Sequence, residues 1–382
     1  MTAYFDPNAC DLDAFKALTQ QSLKPSDVPL AAAIEKNAPI YDVAGLQDHL
    51  TDPALRRVLM AEWAQGLREG SGIIVLKGAY ADTAPIDAAT AIYNNVIASE
   101  KLANGGGTDH FAAAGNNDRI WNSLQKLCLH DPAAFASYFG NVAIDAVCEA
   151  WLGPNYQMTA QVNLVRPGGG AQMAHRDYHL GFQTAETSAG YPAHVHDLSP
   201  VLTLQGAVAH SDMPVESGPT KLLPFSQAYR AGYAAWRRDD FRAYFEESYI
   251  QLPLSKGDAL FFSPALFHGA GANTSKDVQR MANLLQVSSA FGRAMESIDR
   301  VAMCKALYPV IAGVGLSPAQ QRAAIAACAE GYSFPTNLDL DPPVGGLAPQ
   351  TQAALFHAAL DARWSAQAFS DALDAQTARQ RA

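Results

Sequence analysis

Residues 174–179, which read Ala-His-Arg-Asp-Tyr-His, constrain the fold more than any other stretch of the chain. His175 and Asp177 are two residues apart, and side chains two apart on a strand point to the same face. An imidazole and a carboxylate can therefore bind one metal ion together. His268 offers a third ligand from far along the chain. The pattern predicts an extended ligand segment in a fold, such as a barrel, that brings His268 beside it.

The chemistry of this ligand set limits which metal ion is expected. Two histidines and one carboxylate on one face of an octahedral ion, with the other positions open, are typical of non-haem Fe(II) oxygenases. Arg280 follows His268 in the sequence. A guanidinium can hold a carboxylate through two parallel hydrogen bonds. We therefore expect Arg280 to anchor a dicarboxylate co-substrate, and we expect His194, His196 and His210 not to bind metal.

Charge and cysteine content limit the partners and the compartment. The formal net charge is −10, which makes the chain a poor candidate for binding nucleic acid or an anionic membrane surface, since both need a basic footprint. No apolar run approaches the roughly 20 residues of a membrane span. The five cysteines are scattered and form no CxxC pair. This pattern favours reduced, buried thiols in a cytoplasmic protein.

Residue composition and hydrophobic pattern along the chain predict three regions. Residues 1–70 look polar and helical, and we expect an N-terminal helical extension there. In the predicted core, 71–299, residues 156–293 consist of short apolar or alternating runs broken by proline and glycine. That pattern is typical of a β-sandwich or small barrel. Residues 300–382 are alanine-rich and helical, and the alternatives for them are core packing, a homodimer interface or a lid.

Individual elements can also be predicted. Asp52-Pro53 should begin a helix through Leu67, with Asp52 as its N-cap. Asp131-Pro132 should begin one helix that continues to about Trp151. Residues 72–78 and 173–178 should be strands. The glycine-rich residues 104–122 are either a surface loop or a mobile lid that contacts substrate.

An ordered set of motifs resembles the phytanoyl-CoA dioxygenase family of Fe(II)/2-oxoglutarate oxygenases over about residues 70–292. The carrying residues are His175-Arg176-Asp177, Glu216-Ser217-Gly218-Pro219-Thr220-Lys221-Leu222-Leu223-Pro224, Lys256-Gly257-Asp258, and His268-Gly269-Ala270-Gly271-Ala272-Asn273 leading to Arg280. The resemblance implies an α+β fold with a mainly β core. That core would be a double-stranded β-helix, a jelly-roll or cupin-like barrel, with helical extensions at both ends.

The resemblance also implies roles for individual residues. His175, Asp177 and His268 would bind Fe(II). Arg280 would hold the far carboxylate of 2-oxoglutarate. Further candidates are Asn163 and Gln161 for the chelating end of 2-oxoglutarate, Thr203 or Gln205 for the far carboxylate, and Arg119, Trp121, Tyr178, His179 and Phe182 for the substrate.

The implied activity is oxidation of a C–H bond of a small organic molecule by O2, most simply hydroxylation, with release of succinate and CO2. A carboxylate at Asp177 leaves no ligand position for a halide, which favours hydroxylation, desaturation or ring closure over halogenation. One alternative is a non-catalytic cupin-like module that binds metal and 2-oxoglutarate. Another is a metal-dependent oxygenase that does not use 2-oxoglutarate, and Arg280 distinguishes the two kinds of oxygenase.

Two positions depart from the family pattern. Gln227 ends the sequence Pro-Phe-Ser-Gln, where the family often has a histidine. Ala270 occupies a position where a hydroxyl residue often helps to bind the co-substrate.

Overall fold

The computed structural model describes residues 3–104, 117–343, 345 and 347–381. The strands in this part of the chain are β1 (Ala33–Glu35), β2 (Ala38–Asp42), β3 (Ile73–Lys77), β4 (Asn117–Ile120), β5 (Gln157–Val165), β6 (Thr203–Ala209), β7 (Lys221–Leu222), β8 (Ala259–Phe262), β9 (His268–Gly269) and β10 (Arg280–Ser288).

Helices occur before, between and after the strands. They are α1 (Leu12–Thr19), α2 (Gln47–Thr51), α3 (Pro53–Arg68), α4 (Ala84–Asn104), α5 (Ser123–His130), α6 (Pro132–Phe139), α7 (Val142–Leu152), α8 (Ala185–Ala189), α9 (Ala193–Leu198), α10 (Gly232–Ala235), α11 (Asp239–Ser248), α12 (Arg300–Ile311), α13 (Pro318–Cys328), α14 (Gln352–Asp361) and α15 (Ala366–Gln380). Within the described residues, no helix is both long and apolar enough to span a membrane.

One large sheet and one small sheet form the β core. The large sheet has the order β1-β2-β3-β8-β6-β10-β5-β4, and β7 pairs with β9 in the small one. Within the large sheet β2 and β3 are parallel, and the other neighbouring strands are antiparallel. Leu222 of β7 is buried among Ala207, Leu260 and Phe262 of the large sheet, so the small sheet packs against its inner face. The architecture is the predicted α+β double-stranded β-helix.

Strand alternation gives the large sheet two different faces. On β5, Met158, Ala160, Val162 and Leu164 belong to the core that the sheet shares with the helices. Thr159, Gln161 and Asn163 alternate with these residues and point to the inner face. On β10, register with β5 places Arg280, Ala282, Leu284 and Gln286 on that same inner face. The inner face is therefore apolar near β3 and β8 and polar near β5 and β10.

The C-terminal helices cover the outer helical layer. Tyr308 of α12 stacks on Phe369 of α15, with ring centroids 4.1 Å apart, and both rings also contact Phe356 of α14. These apolar side chains are buried within the chain itself. Division into regions 1–70, 71–299 and 300–382, and a homodimer through the C-terminal helices, stay predictions.

Helix prediction succeeded at one helix and missed a break in another. Asp52 accepts hydrogen bonds from the N–H groups of Ala54 and Leu55, and α3 begins at Pro53, as predicted. The single helix expected over 132–151 is instead α6 and α7. Asn141 separates them, because its side chain caps the N-terminus of α7.

The N-terminal region is not purely helical, and the prediction for residues 1–70 was wrong in this respect. It contributes β1 and β2, and β2 lies parallel to β3 at the edge of the large sheet. Both strands are short, so no alternating run marked them in the sequence. Ala38 and Ile40 of β2 are buried in the apolar half of the barrel interior.

Arg176 attaches the metal-ligand segment to the helices that follow β7. Its side chain is fully buried and donates hydrogen bonds to the carbonyls of Ser226 and Tyr229. The guanidinium also lies 5.1 Å from the ring centroid of Tyr233 and 5.2 Å from that of Phe267. Because Arg176 takes up this buried position, its two neighbours His175 and Asp177 point to the other side of the segment.

Gly232 makes room for the Arg176 guanidinium, and this contact gives a test of the packing. A Cβ at Gly232 would lie 1.9 Å from Cζ of Arg176. We expect Gly232→Ala to lower the free energy of unfolding by about 1–3 kcal/mol, the usual cost of overpacking. Chemical denaturation measures the change. The matched control is Gly66→Ala in α3, where an added Cβ meets nothing within 4 Å and should be neutral or stabilising. Equal losses in both variants would contradict the packing argument.

Candidate active site

Three potential metal ligands converge at one end of the barrel. Nε2 of His175 lies 3.5 Å from Oδ1 of Asp177, and Nε2 of His268 lies 3.4 Å from Oδ2. The ligand atoms of all three residues are within 4.8 Å of one another. In the described part of the chain, no other group of three or more histidine, cysteine or acidic side chains is placed to hold a metal ion. The structure thus brings together the three residues that the sequence singled out.

A backbone bridge holds the two histidines side by side. The N–H of His175 donates to the carbonyl of His268 at 2.9 Å, and the N–H of His268 donates back at 3.1 Å. The N–H of Asp177 donates to the carbonyl of Pro264 at 3.1 Å. Residues 173–178 are not the regular strand that was predicted, because the chain pairs only at this bridge. Beyond Asp177 the backbone turns, with φ of 61° at Tyr178.

Both imidazoles are oriented by hydrogen bonds at their Nδ1 atoms. Nδ1 of His175 is 2.8 Å from the carbonyl of Met173, and Nδ1 of His268 is 2.8 Å from the carbonyl of Leu266. A carbonyl can only accept, so Nδ1 carries a hydrogen in each ring, and in a neutral ring Nε2 then presents a lone pair. This is the arrangement in which histidine binds metal ions.

The protonation states also suit a metal ion. Burial lowers the pKa of His175, and His268 lowers it further. Burial raises the pKa of Asp177, but His175, His268 and Gln205 outweigh it and hold that pKa well below its usual range. The site therefore combines a neutral imidazole with an ionised carboxylate, which are the forms that metal binding requires.

Arg280 is a buried cation without an acidic partner among the described residues. Its Nη1 donates to the carbonyls of Ser217 at 3.1 Å and Gly271 at 3.3 Å. Burial lowers the pKa of Arg280 to about 10. A buried charge with only carbonyl partners is costly, and a carboxylate would offset that cost through a bidentate pair. The position fits a dicarboxylate anchor.

The side-chain amides of Asn163 and Gln161 differ in their hydrogen bonds. Asn163 lies opposite Ala282 in the strand register, two residues from Arg280. Its Oδ1 is buried and accepts no hydrogen bond from the described residues. The Gln161 amide, in contrast, accepts from Arg119 at 3.2 Å and donates to the sulfur of Met295 at 3.6 Å. Of the two candidates, the structure favours Asn163 for an incoming ligand.

Gln205 has a role that the sequence did not reveal. Gln205 pairs with Gln286, six residues after Arg280 on β10. A contact of Gln205 or its neighbour Thr203 with the far carboxylate stays a prediction. In the structure, Gln205 donates a hydrogen bond of 2.5 Å to Oδ2 of Asp177.

The residues proposed for substrate binding fall into two groups. The Arg119 guanidinium lies 5.1 Å from the ring centroid of Trp121 and contacts Gln161 on the inner face. On the segment after Asp177, Nδ1 of His179 is 3.1 Å from the Ser199 hydroxyl. Tyr178 is buried there, while Phe182 is 55% exposed. Their contacts with a substrate stay a prediction, as does the lid, since residues 105–116 of the stretch 104–122 lie outside the described residues.

The three histidines that we expected not to bind metal have other surroundings. His194 is exposed. Nε2 of His196 lies 3.1 Å from the Ser188 carbonyl, and His210 is buried between the hydroxyls of Thr90 and Tyr138 at 2.8 Å each.

Gln227 serves packing at the position where the family often has a histidine. Its Nε2 donates to the carbonyl of Gly70 at 2.8 Å, and a Cβ at Gly72 would meet its amide at 2.6 Å. The preceding Ser226 hydroxyl accepts from the N–H of Phe267 at 2.8 Å, next to His268. At the second departure, the backbone of Ala270 pairs with Gln172.

Fold and site together define a double-stranded β-helix protein with a centre of two histidines and one carboxylate. The chain belongs to the phytanoyl-CoA dioxygenase (PhyH) family, whose model matches residues 55–282.

Individual relatives share a low sequence identity with this chain. Dioxygenase andF of Emericella variicolor is 28% identical over 142 residues, which cover 35% of this chain and 43% of that protein. Dioxygenase aneA of Aspergillus aculeatus is 28% identical over 159 residues, covering 40% and 45%. The chain thus spans less than half of the length of these curated relatives. Among solved structures, the non-haem alpha ketoglutarate dependent carbocyclase SnoK from nogalamycin biosynthesis is 20% identical, with a TM-score of 0.42 over 62% of this chain and 86% of that one.

Arg280 has no acidic partner among the described residues, and we therefore expect the stability of the protein to depend on a bound carboxylate. With Mn(II) present, 2-oxoglutarate at about 100 times its Kd should stabilise the wild type by about 2.7 kcal/mol. Thermal unfolding with and without the keto acid measures the effect. In Arg280→Met the stabilisation should be largely lost, because the carboxylate has no cation to pair with. Arg230→Met is the control, since Arg230 is exposed and pairs with Asp197. An equal stabilisation of Arg280→Met and wild type would contradict the anchor.

Proposed function

We propose that this protein is an Fe(II)- and 2-oxoglutarate-dependent dioxygenase that hydroxylates a C–H bond of a small organic molecule and releases succinate and CO2. One observation carries the proposal. Two imidazoles, an ionised carboxylate and a buried guanidinium that has no acidic partner among the described residues face one barrel interior. A metal-binding protein that took no anionic co-substrate would have no use for Arg280 in that state.

The residues present fit both the iron and 2-oxoglutarate. His175, Asp177 and His268 would hold the iron. Arg280 would hold the far carboxylate of 2-oxoglutarate, and Asn163 would donate or accept at its chelating end. When bound, the iron and the keto acid supply the activation of O2 and the oxidising power.

The residues between the two binding groups suit a narrow ligand. Ala282 of β10 lies opposite Ala209 of β6, and Leu284 lies opposite Ala207. These positions separate Arg280 from the level of Gln205 on the inner face. Three of these four side chains are methyl groups, which would suit a chain-like dicarboxylate between anchor and metal ligands. The adjoining apolar residues Leu260 and Phe262 exclude water from that side.

Asp177 also bears on the reaction outcome. Its carboxylate completes the protein ligand set, so no position is vacated for a halide. This supports hydroxylation, or a related C–H oxidation, over halogenation. A small-molecule substrate fits the same proposal. A cytoplasmic location stays a prediction.

The activity can be tested by following succinate. With Fe(II), ascorbate, O2 and 2-oxoglutarate, the wild type should convert 2-oxoglutarate to succinate, slowly without a substrate and faster with one. Asp177→Ala should fall to the background rate, because it removes the charged ligand. His194→Ala is the control, since this histidine is exposed and outside the cluster. If wild-type protein bound Fe(II) and 2-oxoglutarate but formed no succinate with any of a broad substrate panel, the non-catalytic binding module would replace the dioxygenase.

A further inference from the structure

Behind the metal ligands, three side chains form a chain of hydrogen bonds that begins at Asp177. Nε2 of Gln205 donates to Oδ2 of Asp177 at 2.5 Å and to Oε1 of Gln286 at 3.5 Å. The Tyr178 hydroxyl donates to the same Oε1 of Gln286. Tyr178 directly follows Asp177 in the sequence, so the covalent backbone closes these four residues into a ring.

The direction of each hydrogen bond in this ring is determined by the one before it. An ionised carboxylate can only accept, so Gln205 must present its NH2 group to Asp177. The second N–H of that group then needs an acceptor, and Gln286 must present its carbonyl oxygen. A carbonyl oxygen has two lone pairs, and the second accepts from Tyr178. All three side chains are therefore held in one orientation.

Burial and backbone geometry support a fixed role for the ring. Gln205, Gln286 and Tyr178 are only 5%, 8% and 3% exposed. Gln205 and Gln286 face each other in the register of β6 and β10, the centre of the large sheet. Tyr178 adopts a φ of 61°, which is uncommon for a bulky residue. Its hydrogen bond to Gln286 is made from this turned conformation.

The carboxylate is the ligand that most needs such a support. Rotation about the last bond of an aspartate side chain is soft. Hydrogen bonds to Met173 and Leu266 fix the two imidazoles, whereas among the described residues outside the triad only the Gln205 side chain donates a hydrogen bond to the carboxylate of Asp177. By occupying Oδ2, Gln205 selects one rotation of the carboxylate and leaves Oδ1 facing His175.

We propose that Gln205, braced by Gln286 and Tyr178, is a positioning residue that orients Asp177 for metal binding. The inference rests on the proposed function, because it assumes that the triad binds iron. It also gives Tyr178 a place in the support of the metal ligand, in addition to the substrate contact expected from the sequence.

The test is the affinity for Fe(II) alone, titrated anaerobically. Gln205→Met keeps the length of the side chain and removes its donor, and it should weaken Fe(II) binding by about 10–100-fold. Tyr178→Phe removes only the brace and should weaken binding by up to about tenfold. The unfolding midpoint of the metal-free protein should change little in Tyr178→Phe, which separates positioning from a general loss of stability. The control is Gln157→Met, since Gln157 lies on β5 and its side-chain amide donates to the carbonyls of Ser289 and Gly292.

The outcomes separate this inference from the proposed function. If the wild type binds no Fe(II), the proposed function itself fails. If the wild type binds Fe(II) and Gln205→Met binds it as tightly as Gln157→Met, the function stands and the positioning role is overturned. Should Gln205→Met fail to fold, Tyr178→Phe decides. Weaker binding than in the control supports the ring, and unchanged binding overturns it.

Discussion

The reciprocal backbone hydrogen bonds between His175 and His268 are the interaction on which the site depends. They join two segments distant in sequence, and they do so at the two residues whose side chains must meet. The surrounding structure holds each segment in place. Arg176 anchors the first in the aromatic cluster behind it, and Ser226 accepts from the N–H of Phe267 to anchor the second. The positions of the metal-ligating side chains thus depend on buried contacts that each segment makes on the side away from the metal site.

The second constraint is the burial of charge. Arg280 is placed on the inner face by the register of β10, and only carbonyl oxygens meet it among the described residues. Asp177, in contrast, accepts a hydrogen bond from the Gln205 amide and lies beside the two imidazoles. One charged group of the site therefore has polar side chains around it, whereas the other has only carbonyl oxygens among the described residues. This asymmetry argues for a ligand that brings a carboxylate to Arg280.

The sequence allowed prediction of the features that local patterns control. The spacing of His175 and Asp177, the alternation along β5 and the cap at Asp52 each depend on a few neighbouring residues. Features that depend on pairing between distant segments could not be predicted. The hydrogen bond from Gln205 of β6 to Asp177, for example, joins two segments that are distant in the sequence. Likewise, β2 is a strand because it pairs with the edge of β3, and β1 pairs with β2 in turn. No run of alternating residues indicated either strand in the sequence.

The most direct measurement is the visible charge-transfer band that forms when 2-oxoglutarate chelates Fe(II) without O2. The account predicts that the wild type develops this band, that Asp177→Ala does not, and that Arg280→Met requires a much higher concentration of 2-oxoglutarate. Such a result would place metal and keto acid in one site, between the triad and the buried arginine. If iron bound tightly and no band formed at any concentration of 2-oxoglutarate, the pairing of these two binding groups in one site would be contradicted.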